Sequence, residues 1–247
     1  MVALREEFER NGTWLFRWRS YLPLLLLGVF LLAMRDYHYP GYSERLDDLW
    51  ECVCLVVSFV GLGIRVVTVG HAPRNTSGRN TRRQIADRLN TTGLYSVVRN
   101  PLYLGNFFMG LGPAMFAHTW WLVLIYLLVF WLYYERIIFA EETFLRQRFG
   151  QAFLEWAERT PAFLPHLRQY VPDALPFCWR TVLRRECNGL LGVVATMFLF
   201  EVVGDLFYLG RVELDPQWVW LVSVTVALWA ALRVLKKCTR VLDVAGR

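Results

Sequence analysis

Two stretches of the chain hold residues able to do chemistry beside a membrane. Residues 89–106 read LNTTGLYSVVRNPLYLGN. Gly93, Pro101 and Gly105 break its regularity, and the Asn100-Pro101 step favours a turn with Pro101 opening a helix. Arg99 therefore sits where an apolar helix begins. From there a guanidinium can take up an anion, or simply anchor the chain at the interface. The second stretch, EETFLRQRFGQAFLEW, is headed by Glu141 and Glu142. Ionisable groups at a membrane segment are costly and mark a functional site by default. Arg146 and Arg148, at helical spacing, offer the plainer account of a solvated face. Between the two stretches, Gly110 and Gly112 permit close approach to the backbone, by a ligand or by a second helix.

The elements that must position these residues are apolar. Of 247 residues 55% are hydrophobic and 16% aromatic, and the mean hydropathy is +0.31. Only 19% are charged, against roughly 25% in soluble domains. A soluble fold of this size could not conceal so much apolar surface. The expectation is an all-α polytopic transmembrane bundle of about six spans, at Tyr21–Met34, Leu49–Val69, Leu102–Trp120, Trp121–Phe139, Gly189–Leu209 and Trp218–Leu235. Trp14, Leu15, Phe16 and Trp18 extend the first span backwards. His118-Thr119 marks a tight turn, so spans three and four form an antiparallel hairpin. That hairpin brings Arg99 and Glu141/Glu142 to one end, where they could line one pocket.

Charge placement gives orientation. The net charge is +6, and apart from Lys236 and Lys237 the 27 basic residues are arginine. Arg5, Arg10, Arg17 and Arg19 precede the first span. Arg74, Arg79, Arg82, Arg83, Arg88 and Arg99 fill the second loop, and Arg233, Lys236, Lys237, Arg240 and Arg247 lie at the end of the chain. Asp36, Glu44, Asp47 and Asp48 dominate the first loop, and Glu213 and Asp215 follow span five. The alternation places both termini and the loops 70–100 and 140–186 in the cytoplasm. Because the arginines track topology, and no nucleic-acid module signature occurs, nucleic acid is not expected as a partner. No metal is expected either. Cys52, Cys54, Cys178, Cys187 and Cys238 form no C-x-x-C pair, the four histidines are scattered, and no cluster has ligand spacing. Glu201 and Asp205 share a helix face in span five. They read as lining of a headgroup cavity, as the outer end of the span, or as partners of a buried arginine.

The run L-x-T-x-G-x-Y-x-x-x-R-N-P-x-Y-x-G, then E-E-x-x-L-x-x-x-F-G, then P-x-F-L-P from Pro161 to Pro165, resembles the isoprenylcysteine carboxyl methyltransferase and phospholipid methyltransferase superfamily. The resemblance covers roughly residues 49–165. It implies an integral membrane enzyme using S-adenosylmethionine in a cytoplasm-facing pocket near the interface, in the inner membrane if the source is bacterial. The family's R-H-P-x-Y element falls on Arg99, Asn100, Pro101 and Tyr103, with asparagine standing where many relatives have histidine. The E-E element falls on Glu141 and Glu142, and a G-x-G element on Gly110 and Gly112. Cofactor contacts are thus expected from Tyr95, Asn100, Pro101, Tyr103, Gly105, Gly110, Gly112, Glu141 and Glu142, with Arg99 and Glu142 catalytic. The domain plan is 1–48 for an N-terminal segment and first span, 49–165 for the methyltransferase core, and 166–247 for an extension outside the resemblance.

For such chemistry the glutamates suit the cofactor's ammonium or ribose hydroxyls, and Arg99 suits a carboxylate or phosphate. Tyr95, Tyr103 and Trp131 offer stacking and cation–π contact. An anionic acceptor is already ionised, whereas an amine must first lose a proton. With Arg65 near the same end and Arg99 as substrate contacts, a membrane lipid headgroup is expected, phosphate O-methylation ahead of amine N-methylation. Isoprenylcysteine carboxyl methylation is the alternative within the family. The rival from another class is a steroid-reductase-like NADPH enzyme, which shares an R-N-P-x-Y stretch. Such enzymes tend to carry Arg-Asp and Lys-Tyr-Gly where this chain has Glu141-Glu142 and Arg148-Phe149-Gly150.

Overall fold

The computed structural model describes residues 4–18, 21, 23–73, 76 and 85–247. Arg19, Arg74, Arg79, Arg82, Arg83 and the side chain of Arg5 lie outside that description, and so does their share of the charge argument. The described residues are mostly helical and hold no strand; a single bridge joins Gly93 to Val171. The helices are α1 (Leu4–Trp18), α2 (Pro23–Ala33), α3 (Glu44–His71), α4 (Leu94–Val97), α5 (Pro101–Phe116), α6 (Trp120–Phe149), α7 (Gln151–Arg159), α8 (Trp179–Tyr208) and α9 (Pro216–Cys238).

Four of these, α3, α6, α8 and α9, are long and apolar enough to cross a membrane. Their outer faces carry uncovered apolar side chains, among them Leu49, Val56, Leu128, Leu132, Trp220 and Val224, as a lipid solvent requires. The protein is an integral membrane protein. Two of the expected spans are shorter than drawn. Helix α2 has 11 residues, a rise of about 16 Å against a hydrocarbon core of about 30 Å. Helix α5 has 16 residues, a rise of about 24 Å. The first span does not run back through Trp14–Trp18, because those residues belong to α1, a separate helix that packs along α6.

The turn between α5 and α6 falls where the sequence places it. Ala117 closes α5, His118 takes a left-handed conformation at φ 53°, and Thr119 caps α6. Helix α3 runs antiparallel to α5. A Cβ on Gly61 would strike the backbone of Gly105 and Met109, and one on Gly112 would strike Ser58 and the Cys54 carbonyl. Small residues let these two backbones approach closely, the usual solution where lipid removes a hydrophobic drive between helices. Helix α8 packs on both. The core gathers Met34, Phe116, Leu122, Met197 and Phe200, all within 1% of full burial.

Candidate functional site

The 93–100 segment does not hold itself in place. Gly93 has φ 60°, ψ −135°, and the space a Cβ would take is filled by the Asp173 carboxyl, so only glycine fits. A clasp from residues 156–171 then fixes the rest. Trp156 Nε1 donates to the Tyr95 carbonyl at 3.1 Å, and the His166 amide donates to the Val97 carbonyl at 2.9 Å. The Arg99 amide donates to the Pro161 carbonyl at 2.9 Å, and Asn100 Nδ2 donates to the Ala162 carbonyl at 3.0 Å. Ser96 ties the ends together, donating to the Gly93 carbonyl and accepting from the Val171 amide. The P-x-F-L-P run thus has a structural job. Its backbone receives the R-N-P run, while Phe163 inserts among Phe107, Phe130 and Trp131 of α5 and α6 at ring separations of 5.8 to 6.1 Å.

The clasp delivers Arg99 to Glu142. Nε and Oε1 are 3.0 Å apart, with side chains 18% and 26% exposed. The contact is ionic rather than directional, since neither atom has an aligned hydrogen-bond partner. Arg99 Nη1 also donates to the Ala157 carbonyl at 3.0 Å. Arg146 and Arg148 form no ion pair with Glu142, so the solvated-face account does not describe that carboxylate. Because α6 continues unbroken to Phe149, both glutamates lie on a helix rather than in a loop. Tyr95 lies close enough to Glu141, Arg185 and Arg65 to feel their charges. Burial, and then the charge of Glu141, push its phenol above the ordinary value against the pull of the two arginines. The phenol therefore stays neutral and available as a donor.

Arg65 sits in a built network. Its Nε and Nη2 meet the two carboxylate oxygens of Glu186 on α8 at 2.7 and 3.0 Å, and Nη1 donates to Asn106 Oδ1 at 2.7 Å. Asn106 Nδ2 donates to Tyr134 OH, whose ring lies 4.7 Å from that of Tyr103. Glu186, Asn106, Tyr134 and Trp156 were not among the residues the sequence singles out. Asn106 could have been found as the last residue of the first motif; Glu186 lies 121 positions from Arg65 and had no local signal. The three glycines expected at the cofactor each stand at a close contact with another residue. A Cβ on Gly105 would meet Arg65 Cγ at 2.5 Å, one on Gly110 would meet Tyr126 OH at 2.5 Å, and Gly112 faces α3. Pro101 is fully buried and Tyr103 nearly so. The structure therefore brings together Tyr95, Arg99, Asn100, Glu141 and Glu142, and sets Gly110 and Gly112 further along α5.

One stability prediction follows from the Arg65 network. Breaking a buried ion pair from one side leaves a stranded charge and costs about 3–5 kcal/mol, whereas an apolar replacement of both partners costs less. Glu186→Leu alone is expected to lower the thermal midpoint in detergent more than Arg65→Met with Glu186→Leu together. The opposite order would show that the pair itself, not its incompleteness, sets stability.

Comparison with known proteins now bears on the same residues. Residues 53–152 match the family model described as phospholipid methyltransferase. The nickel-cobalt-cadmium resistance protein NccN of Alcaligenes xylosoxydans xylosoxydans is 33% identical over 158 residues, 63% of this chain and 68% of that protein. The protein-S-isoprenylcysteine O-methyltransferase of Schizosaccharomyces pombe is 32% identical over 156 residues, 62% of this chain and 66% of that protein. The probable protein-S-isoprenylcysteine O-methyltransferase of Oryza sativa subsp. indica is 31% identical over 152 residues, 58% of this chain and 80% of that protein. The chain spans from about half, 48%, to 80% of the length of the curated relatives it matches. No solved structure gives a significant match. The motifs that the clasp joins lie within or beside the matched segment, and the chain belongs to the isoprenylcysteine carboxyl methyltransferase and phospholipid methyltransferase superfamily.

Proposed function

We propose that this protein transfers a methyl group from S-adenosylmethionine to an anionic oxygen on a lipophilic acceptor that enters from the bilayer. The observation that carries this reading is the Arg99–Glu142 pair, partly buried and lacking aligned hydrogen bonds at Nε and Oε1. A cofactor with an amino-acid end carries one ammonium and one carboxylate. Glu142 and Arg99 can each turn to one of them, exchanging their mutual ion pair for charge-assisted hydrogen bonds to the cofactor. Glu141 and the neutral Tyr95 phenol lie beside them for hydroxyl contacts. When bound, the cofactor supplies a methyl group on a cationic sulfur. Trp156 and Phe163 close the clasp with apolar surface, which excludes water from a reaction in which opposite charges merge. The acceptor needs no base if it arrives ionised, and the chain's part is to position it.

The carboxylate of an isoprenylcysteine-like thioether is the first acceptor class, because relatives of that name are matched over as much as 80% of their length. A lipid phosphate is the second, supported by the description of the matched family model. The sequence preference for phosphate leaned on Arg65, whose guanidinium is taken up by Glu186 and Asn106. We also infer six crossings, with α2 and α5 as short membrane-embedded helices, and both termini and the site on the cytoplasmic side, as the arginine-rich loops support.

Purified protein is expected to gain thermal stability with S-adenosylhomocysteine and not with NADPH. A ligand at about 100 times its dissociation constant stabilises by about 2.7 kcal/mol. Stabilisation by NADPH alone would assign the rival reductase reading. Label from methyl-labelled cofactor, offered a farnesyl-cysteine mimic and fractionated lipids side by side, then decides between the two acceptors.

A further inference from the structure

A second group of titratable residues lies at the other end of the bundle. Arg65 and Glu186 meet near the C-terminal end of α3 and the start of α8. At the opposite end of the same antiparallel pair, Asp47 and Glu51 of α3 meet Glu201 of α8. One oxygen from each of these three carboxylates lies within 4.8 Å of the other two. All three side chains are buried, at 4% exposure each, and Asp205 beside them is at 2%. No lysine or arginine among the described residues pairs with any of the four, so the sequence's option of a buried arginine partner is not what the structure holds.

The surrounding hydrogen bonds hold these carboxylates in place without satisfying them. Asp47 accepts from Tyr37 OH at 2.6 Å on one oxygen and contacts His118 Nε2 at 3.0 Å on the other. His118 reaches it from the left-handed turn that ends α5, a conformation uncommon outside glycine. Trp218 Nε1 of α9 donates to Glu51 Oε2 at 2.8 Å, and Tyr39 OH donates to Asp205 Oδ1 at 2.9 Å. What remains is Oε1 of Glu51 and Oε2 of Glu201, both buried and both without a hydrogen-bond partner. Buried acceptors left bare are costly, and several like charges gathered around them more so. Five elements aim their polar groups at this one place.

We propose that Asp47, Glu51 and Glu201 bind one hard divalent cation of the size of Ca²⁺ or Mn²⁺. Oxygens no more than 4.8 Å apart can share an ion, since two opposed bonds of about 2.3–2.6 Å span that distance. An all-carboxylate set selects such ions over soft ones. Tyr37, His118 and Trp218 act as the outer supports that orient the ligands. The sequence shows no cluster here because its third member lies on another helix far along the chain. This site shares no residue with the Arg99 site, so the inference stands or falls independently of the methyl-transfer reading.

The test uses the full chain, purified in detergent and stripped with chelator. Mn²⁺ is titrated in and its free signal followed by electron paramagnetic resonance at neutral pH. One Mn²⁺ is expected to bind per chain, displaced by Ca²⁺. Glu51→Gln and Glu201→Gln keep shape and remove charge. Each is expected to weaken binding by at least about tenfold, while the exposed Glu158→Gln leaves it unchanged. Thermal unfolding with and without Mn²⁺ supplies a readout should a variant fold poorly. Wild-type protein that takes up no Mn²⁺ up to about 1 mM, the weak end of protein sites, overturns the proposal and leaves a shared proton between Glu51 and Glu201. Binding that survives both glutamine variants overturns it as well.

Discussion

Glu142→Gln is expected to weaken S-adenosylhomocysteine binding and lower methyl transfer by about a hundredfold, the equivalent of the roughly 1.5–3 kcal/mol carried by a hydrogen bond to a charged group. The glutamine keeps the size of the side chain and gives up its charge. Arg99 then retains the Ala157 carbonyl but loses the one anion at 3.0 Å. The fold should survive, because the clasp holds Arg99 and Asn100 through backbone carbonyls of Pro161 and Ala162 that the substitution does not touch. Arg99→Ala should cost a similar amount. The double variant should cost clearly less than the sum, since both singles remove the same pair. Isothermal titration with S-adenosylhomocysteine and initial rates on the better acceptor provide the check. Unchanged affinity and rate in Glu142→Gln would reduce the pair to a structural tie.

Gly112→Ala is expected to cost about 3 kcal/mol of stability, at the upper end of ordinary overpacking. The new Cβ would land on the Cys54 carbonyl and the Ser58 hydroxyl, with Met197 Cε 2.9 Å away. Ser58 is itself committed, its hydroxyl donating to the Met109 carbonyl. A backbone carbonyl cannot swing aside as a side-chain tip can, so α3 and α5 would have to separate. Gly192→Ala on α8 is the matched control, because nothing lies within 4 Å of its Cβ position. There the change should be neutral or stabilising by up to about 1 kcal/mol through helix propensity. Thermal midpoints of the two variants in one detergent give the comparison. Equal midpoints would show that the α3–α5 contact is loose.

The parts of the molecule legible in the sequence are those fixed by short-range constraints. The turn at His118-Thr119 is one, and it forces the start of α5 and the end of α6 together. That juxtaposition is why the sequence places Arg99 and Glu141/Glu142 at one end, able to line one pocket. The order of the R-N-P, E-E and P-x-F-L-P runs was equally visible, but not that the third grips the first by backbone hydrogen bonds, which carry no side-chain signature. Helix lengths differ from the apolar runs where a helix outlasts its run or stops short of it. Helix α6 continues past Phe139 through charged residues, because a helix leaving a bilayer need not end there. Helix α2 stops at Ala33 although Met34 is apolar, as the chain tightens into a 3-10 turn at Met34–Asp36. Partners supplied from a distant helix were the least visible. Glu186 for Arg65 and Glu201 for Glu51 each come from α8, whose hydropathy announces a membrane helix and says nothing about which neighbour its few carboxylates face.

The Arg65–Glu186 pair also bears on how this chain can be divided. A boundary at residue 165 follows the reach of the recognisable motifs, yet it cuts between a guanidinium and the carboxylate that neutralises it. A fragment ending there would leave Arg65 with Asn106 but without its carboxylate, and would lose the α8 surface on which α3 and α5 both rest. Modularity in sequence is therefore not autonomy in three dimensions. Excision of the recognisable core is expected to yield a protein that inserts but does not assemble.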